Sequence, residues 1–259
     1  MTDMTVRAGV GPLLRDWRQR RRRSQMDLAL DAGVSARHLS FVETGRSKPS
    51  PEMVLTLAEE LEVPLRDRNH LLLAAGYAPR YGERSLDDPE MAPVRKALDL
   101  VLRGHEPYPA AVVDRWWEMV AANRGIALLT EGVAPELLAP PVNVMRVALH
   151  PDGIAPRIVN LGEWRAHMLE RLRHQVTVTD DKALRALYDE VSGYPGPEGG
   201  HGVDAGIFVP LVLRSGDREL RFFSTLATFG TAVDITVAEL AIESFFPADA
   251  ATAEALRER

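Results

Sequence analysis

Residues 24–50, SQMDLALDAGVSARHLSFVETGRSKPS, constrain the fold more than any other stretch, because residues that start and end helices alternate there at close spacing. Ser24 is a good N-cap, so a helix is predicted to begin at Gln25. Gly33 lies at the position after a helix where the backbone often adopts a left-handed conformation, and Ser35 can cap a second helix. The stretch therefore predicts two short helices joined by a tight turn.

The second predicted helix has one apolar and one largely polar face. Leu39 and Val42 lie three residues apart and are expected to turn inward. The outward residues are then Arg37, Ser40, Phe41 and Thr44. Two helices joined by a short glycine-containing turn form the helix-turn-helix, whose second helix enters the major groove of DNA.

Apolar residues at helical spacing predict three further helices around this pair. The first buries Leu13, Leu14 and Trp17 and carries Arg15, Arg18 and the run Arg20–Arg23 on its other side. That run is interpreted as the solvated end of the helix, with phosphate contact as the alternative. A fourth helix begins with Pro51 after Ser50, and a fifth extends from Pro64 to about Gly76.

The five-helix pattern of residues 11–77 resembles the lambda-repressor-like DNA-binding domains of the XRE regulator family. Gln25, Gly33, Glu43, Gly45 and Arg46 carry the resemblance. It implies that double-stranded operator DNA is bound by a two-fold homodimer.

The resemblance also assigns DNA contacts. Gln25 and Ser35 are expected to anchor phosphates. The residues expected to face the bases are Ala36, Arg37, Ser40 and Phe41, and those expected to contact the DNA backbone beyond the bases are Thr44, Arg46 and Lys48. Arg37 is the expected main specificity residue, because a guanidinium can donate two hydrogen bonds to guanine. Phe41 either contacts an apolar group such as a thymine methyl or packs against a neighbouring helix.

Charge divides the chain into two regions. Residues 1–84 hold 14 basic and 11 acidic side chains, and the rest hold 17 and 26. We therefore expect a DNA-binding domain at 1–84 with its core at 11–77, a linker and connecting helix at 85–106, and an acidic domain at 107–259.

Composition also bears on location. The absence of cysteine excludes disulfides and thiolate metal sites. The sequence shows neither an apolar run long enough for a membrane span nor a signal-peptide core. A cytoplasmic protein without a membrane partner is expected.

The second region alternates strand and helix signals. A strand pair, several helices and a later run of strands are typical of a PAS-type sensor, in which an antiparallel sheet carries helices on one face and encloses a pocket. Pro210 favours an edge position for its strand. The predicted strands are 107–114, 117–121, 207–214, 219–228 and 235–246; the predicted helices are 94–102, 123–129, 142–149, 157–174, 183–191 and a short terminal one; 193–202 is predicted to be a loop.

Three stretches resemble the MmyB-like ligand-binding domain over residues 107–256: PYPAAVVDRWWEMVAAN, residues 143–175, and the terminal FFPADAATAEAL. The resemblance implies a PAS-like α+β fold and, in at least some members, a pocket able to take an acyl chain. No cofactor is expected beyond a bound fatty acid or other apolar small molecule.

Apolar residues of the second region are candidates for lining this pocket. Trp164, Met168 and Leu172 recur at four-residue spacing on one predicted helix. The residues expected to oppose them are Val113, Trp117, Met119, Met145, Leu149, Phe223 and Leu226. Ordinary core packing is the alternative for each of these positions.

Signs of catalysis are weak, and the protein is not expected to be an enzyme. Glu163, His167, Glu170 and His174 share one side of a predicted helix and could hold a divalent ion, but that side is expected to face water. HExxH and GxSxG motifs are absent. The stretch GYPGPEGGHG is interpreted as a linker or mobile lid rather than as a phosphate-binding loop, and its His201 is expected to be solvated.

The sequence therefore predicts an all-α five-helix lambda-repressor-like domain followed by an α+β PAS-like sensor. The predicted function is transcription regulation, expected to be repression, under control of a small apolar ligand. The alternative is a metabolite-binding or metal-dependent enzyme domain that uses the helix-turn-helix as a tether. A phage immunity or toxin–antitoxin repressor fits the large second region less well.

Overall fold

The computed structural model describes residues 9–197 and 208–258, and its contacts divide the chain into two units. The first unit extends to Arg84 and also contains Thr231–Ala238. The second unit comprises Ser85–Gly230 and the chain from Glu239 onward. The predicted loop at 193–202 is described only as far as residue 197, and His201 lies outside the described residues.

Within the described part of the first unit, five helices form its body, which confirms the predicted all-α fold. They are α1 (Val10–Arg20), α2 (Gln25–Asp31), α3 (Ala36–Glu43), α4 (Pro51–Glu60) and α5 (Leu65–Ala74). Ser24, Ser35 and Ser50 each accept a hydrogen bond from the backbone N–H three residues later. Gly33 has a φ of 67°, which lets the chain turn from α2 towards α3. Local capping therefore sets the start of three of the five helices.

The core of this unit depends on one close backbone approach. A Cβ atom on Gly11 would lie 2.4 Å from the carbonyl oxygen of Val42. Glycine therefore allows α1 to pack directly on α3. Leu14, Leu28 and Leu39 are fully buried in the resulting core.

The second unit contains a five-stranded antiparallel sheet in the order β2-β1-β5-β4-β3. The strands are β1 (Ala110–Val113), β2 (Met119–Ala122), β3 (Leu211–Ser215), β4 (Arg218–Thr228) and β5 (Ala241–Pro247). Pro210 directly precedes β3, an edge strand, as its missing N–H predicts.

Helices cover the sheet on both faces. The remaining helices are α6 (Ala92–Gly104), α7 (Ile126–Thr130), α8 (Val144–Leu149), α9 (Leu161–Thr179), α10 (Lys182–Ser192), α11 (Ile235–Ala238, in the first unit) and α12 (Ala250–Arg257), with short 3-10 turns at Pro89–Met91, Pro135–Leu138 and Ala155–Arg157. Residues of α8, α9 and α10 join the main core with β3 and β4. Leu98 and Leu102 of α6 pack with Val112 and Ile242, whose side chains project from the opposite face of the sheet. The antiparallel sheet with its helices confirms the predicted α+β fold, but the expectation of helices on one face was wrong, because β1 is buried on both sides and α6 covers the second face.

Two element predictions were wrong in detail. Residues 235–246 form α11 followed by β5 rather than one strand, because the Asp234 carboxylate caps the short helix by accepting the Thr236 N–H at 3.0 Å. The helix predicted at 157–174 begins at Leu161 and ends at Thr179, before Asp180 with a φ of 54°. Among the described residues, none of the helices is both long enough and apolar enough to cross a membrane.

Candidate DNA-binding face and ligand cavity

The exposed face of α3 carries a cationic cluster around one aromatic ring. The guanidinium carbon of Arg37 lies 5.4 Å from the centre of the Phe41 ring, and that of Arg46 lies 6.0 Å from it. Phe41 itself is half-buried. Within the part of the chain that the structure describes, neither guanidinium makes an intramolecular hydrogen bond or ion pair. Their hydrogen-bond donors are therefore open to an external acceptor.

The other predicted DNA-contact residues have distinct local roles. The Ser35 hydroxyl accepts the His38 N–H at 3.1 Å, and Thr44 Oγ1 donates to the Ser40 carbonyl at 2.7 Å. Lys48 Nζ lies 4.6 Å from the centre of the Tyr77 ring. Ser35, Thr44 and Lys48 are exposed, while Ala36 and Ser40 are half-buried.

A buried ion pair fixes α1, α2 and α3 to one another. Arg18 donates from Nε and Nη2 to the two carboxylate oxygens of Glu43, at 2.7 and 2.9 Å. Gln25 Nε2 donates to the same carboxylate at 2.7 Å. Burial alone would raise the pKa of Glu43, but the hydrogen bonds from Arg18 and Gln25 and the Arg18 charge bring it below its ordinary value. The expectation that Arg18 lies on the solvated side of α1 was wrong, because it pairs with Glu43 in the interior.

The arginine run is only partly solvated. Arg21 Nε donates to the Leu61 carbonyl at 3.1 Å, and Arg23 Nη1 donates to the Glu60 carbonyl at 2.9 Å. Both carbonyls lie at the C-terminal end of α4, where cations are favourable. The interpretation of the whole run as a solvated helix end was therefore wrong for these two residues, although Arg22 is exposed.

An apolar cavity of about 70 Å³ lies within the second unit, between its sheet and helices. The predicted ligand-contact residues that line it are Val113, Met119, Trp164 and Met168. The predicted residues that are buried in the same core without lining the cavity are Trp117, Met145, Leu149 and Leu172. The structure thus brings eight of the ten predicted residues into one core.

Two predicted ligand-contact residues lie elsewhere. Phe223 pairs with Phe246 across β4 and β5, and their rings stack 5.1 Å apart. Side chains alternate along a strand, and Phe222 is the residue that faces the main core, so Phe223 points to the opposite face. Leu226 is 45 % exposed and does not line the cavity.

The sequence analysis missed much of the cavity wall. The additional lining residues are Ala111, Ile126, Leu129, Thr130, Val142, Val144, Val147, Ala148, Ile154, Ile158, Leu211, Glu243 and Phe245. Glu243 and Phe245 alternate on β5 and share the cavity-facing side of the sheet. That period-two alternation was a usable signal, because it predicts which residues of a strand share a face.

The cavity has a polar end. Glu243 is buried and accepts a hydrogen bond from Arg171 Nη1 at 3.1 Å. The Arg171 guanidinium carbon lies 4.5 Å from the centre of the Trp117 ring, and its buried Nη2 atom has no partner among the described residues. Burial and the neighbouring Arg171 charge lower the pKa of His167. The one carboxylate on the cavity wall among the described residues is therefore already paired with Arg171, which does not itself line the cavity.

Three of the four acidic and histidine residues on this side of α9 face water as expected. Glu163 and His174 are exposed, and Glu170 pairs with Arg173 at the helix surface. His167 is only partly exposed, because its ring lies 5.8 Å from the Trp164 ring and burial lowers its pKa. Across residues 9–197 and 208–258, no three His, Asp or Glu residues are grouped so that they could hold a metal ion.

Comparison with known families gives two matches that together span most of the chain. Residues 94–258 match the model of the MmyB-like transcription regulator ligand binding domain, and residues 10–71 match a helix-turn-helix domain. A comparison with curated proteins found no match.

Proposed function

Because the chain belongs to the MmyB-like transcription regulators, with a helix-turn-helix domain before its ligand-binding domain, we propose that it represses transcription from an operator under the control of an apolar small molecule. The observation that carries this proposal is the exposed face of α3, where the Arg37 and Arg46 guanidinium groups have no intramolecular hydrogen-bond acceptor within the described chain. We assign no catalytic role.

In this proposal α3 lies in the major groove and Arg37 donates to a guanine. The Phe41 ring, which contacts the Arg37 guanidinium, provides an apolar surface beside it. Ala36 and Ser40 face neighbouring base edges, while Ser35, Thr44, Arg46 and Lys48 contact phosphates. The Gln25 amide nitrogen is already held by Glu43, so Gln25 contacts phosphate through its backbone N–H at the start of α2.

We further propose that the protein acts in the cytoplasm as a homodimer. A two-fold dimer presents two copies of α3 to half-sites about one helical turn apart, as other helix-turn-helix proteins do. Two half-sites add phosphate contacts and base contacts, which a single small domain supplies only sparingly.

The proposed ligand occupies the cavity of the second unit. Ligand pockets usually enclose about 300 to 1,000 Å³, so the present cavity of about 70 Å³ has to expand around a ligand. A ligand that binds only an expanded form shifts the protein towards that form, which is the requirement for control of operator affinity. The ligand that fits the cavity best has an apolar body, because the wall is apolar apart from Thr130 and Glu243 and the Glu243 carboxylate is already paired with Arg171.

Selection of duplexes from a randomised pool at low salt tests the proposal. We expect enrichment of a consensus with two inverted half-sites, and with Arg37→Ala a consensus that no longer specifies the one G·C pair of each half-site. Arg185→Gln is the matched control, because Arg185 forms an exposed ion pair with Asp180 in the second unit. The proposal fails if the wild-type protein enriches no sequence.

A further inference from the structure

A short segment between β4 and β5 packs with the DNA-binding unit. This segment, Thr231–Ala238, is here called the strap; it contains α11 and belongs to the first unit by its contacts. Helix α11 contacts α5, and the strap residues Ile235 and Val237 are buried. By its contacts the strap is therefore part of the first unit, although the residues before and after it in the sequence belong to the second.

Backbone and side-chain contacts hold the strap in place. The Ile235 N–H donates to the Gly82 carbonyl at 2.8 Å, and Thr236 Oγ1 donates to the Arg84 carbonyl at 2.7 Å. Arg84 Nη1 donates to Asp234 Oδ2 at 3.0 Å, and the Asp234 side chain is only 10 % exposed. Three different strap residues thus bind the chain that follows α5.

Gly82 makes room for these contacts. A Cβ atom at this position would lie 2.8 Å from Arg84 Nη1 and 3.3 Å from Asp234 Oδ2. A larger residue at position 82 would therefore require the flexible end of Arg84 and, by a few tenths of an ångström, the Asp234 carboxylate to shift.

Both ends of the strap continue into the second unit. Directly after the strap, Glu239 pairs with Arg115 at 2.9 Å, and Arg115 also pairs with Asp181 at the start of α10. Two residues further on, β5 begins, and its residues Glu243 and Phe245 line the cavity. Only Glu239 and Leu240 therefore separate the strap from the strand that lines the cavity.

We propose that the strap transmits the state of the cavity to the DNA-binding unit, an inference that rests on the proposed function. Expansion of the cavity moves β5, the strap follows, and the contacts at Gly82 and Arg84 weaken. A ligand that prefers the expanded form then acts on the unit that carries α3. A docking contact with two states, formed and broken, can in this way couple ligand binding in the cavity to the DNA-binding unit.

Hydrogen exchange of the full-length protein without DNA tests the docking. We expect Arg84→Gln combined with Thr236→Val to accelerate exchange at residues 78–84 and 231–238 about three- to seventyfold, the effect of losing one neutral hydrogen bond and one partly exposed ion pair. Val233→Thr is the control, because Val233 is 79 % exposed on the same strap. Unchanged exchange in the double variant overturns the proposal.

A double-mutant cycle that combines a cavity variant with the strap variants tests whether a change in the cavity reaches the strap. Phe245→Leu alters β5 inside the cavity, and we expect it to accelerate exchange at residues 78–84 in the wild-type background but not in the Arg84→Gln/Thr236→Val background. Glu243→Gln on the same strand is the second variant if Phe245→Leu does not fold. Equal effects in both backgrounds, or no effect in either, overturn the proposal. Because no DNA is present, this result is independent of whether operator selection succeeds.

Discussion

Removal of the Glu43 carboxylate should destabilise the DNA-binding unit strongly. Glu43→Leu leaves the buried Arg18 guanidinium without its partner and Gln25 without its acceptor, so three hydrogen bonds to one charged group are lost. Loss of one partner from a buried ion pair costs about 3 to 5 kcal/mol. A unit of this size is stable by only about 4 to 10 kcal/mol. The variant is therefore expected to lose a large part of the free energy of unfolding.

The double variant Arg18→Met/Glu43→Leu distinguishes the free-energy cost of an unpaired buried charge from the cost of lost packing. It buries no uncompensated charge, so its free energy of unfolding should lie within about 2 kcal/mol of the wild type. Asp99→Asn is the surface control, since the exposed pair of Asp99 with Arg103 should contribute at most about 1 kcal/mol.

Hydrogen exchange of the amides in α1 and α3 provides the assay, because the slowest amides report the unfolding free energy of this unit. Acidification adds a second readout. The folded-state pKa of Glu43 lies below its ordinary value of 4.5, so its contribution is fully present above that value and is lost as the pH falls through the lowered pKa. The double variant should lack this part of the acid dependence. A Glu43→Leu variant within 1 kcal/mol of the wild type, or a double variant as unstable as the sum of both single variants, would refute the reasoning.

Three further substitutions test other parts of the structure. Lys48→Ala should weaken specific and nonspecific duplex binding by similar factors and reduce the slope of log K against log salt by about one, measured by fluorescence anisotropy; a loss confined to the specific duplex would contradict a phosphate contact. Gly11→Ala should destabilise the first unit by about 1 to 3 kcal/mol in chemical denaturation, because its methyl group meets the Val42 carbonyl, whereas Gly9→Ala meets nothing within 4 Å and should cost at most about 1 kcal/mol, the loss of a glycine N-cap of α1. Ala148→Leu narrows the cavity and should abolish calorimetric binding of a probe such as 1-dodecanol if the wild type binds it, with operator binding retained; unchanged probe binding would place the ligand elsewhere.

Local chemistry explains which elements could be predicted from the sequence. The starts of α2, α3 and α4 depend on serine caps a few residues away, and the β3–β4 hairpin depends on a turn at Gly216, so short stretches contain the necessary information. The fold class of both regions followed from such signals together with the family resemblance.

Long-range partnerships explain what the sequence did not show. Arg18 and Glu43 are separated by 25 positions, and each looks like an ordinary surface charge until α1 and α3 pack together. Alternation along β4 places Phe222 and Phe223 on opposite faces but does not decide which face encloses the cavity. The strap could not be recognised because Ile235 and Val237 continue the apolar pattern of a strand, whereas they belong to α11, which contacts α5, far away in the sequence.

The most direct test of the central claim compares the binding of wild-type protein and Arg37→Ala to an operator and to its single-base variants. We expect the wild type to discriminate against substitution of one G·C pair by about 1 to 3 kcal/mol, and Arg37→Ala to lose that discrimination while keeping it at the other positions. If Arg37→Ala instead binds all of the duplexes more weakly by the same factor, α3 does not read the bases in the way described.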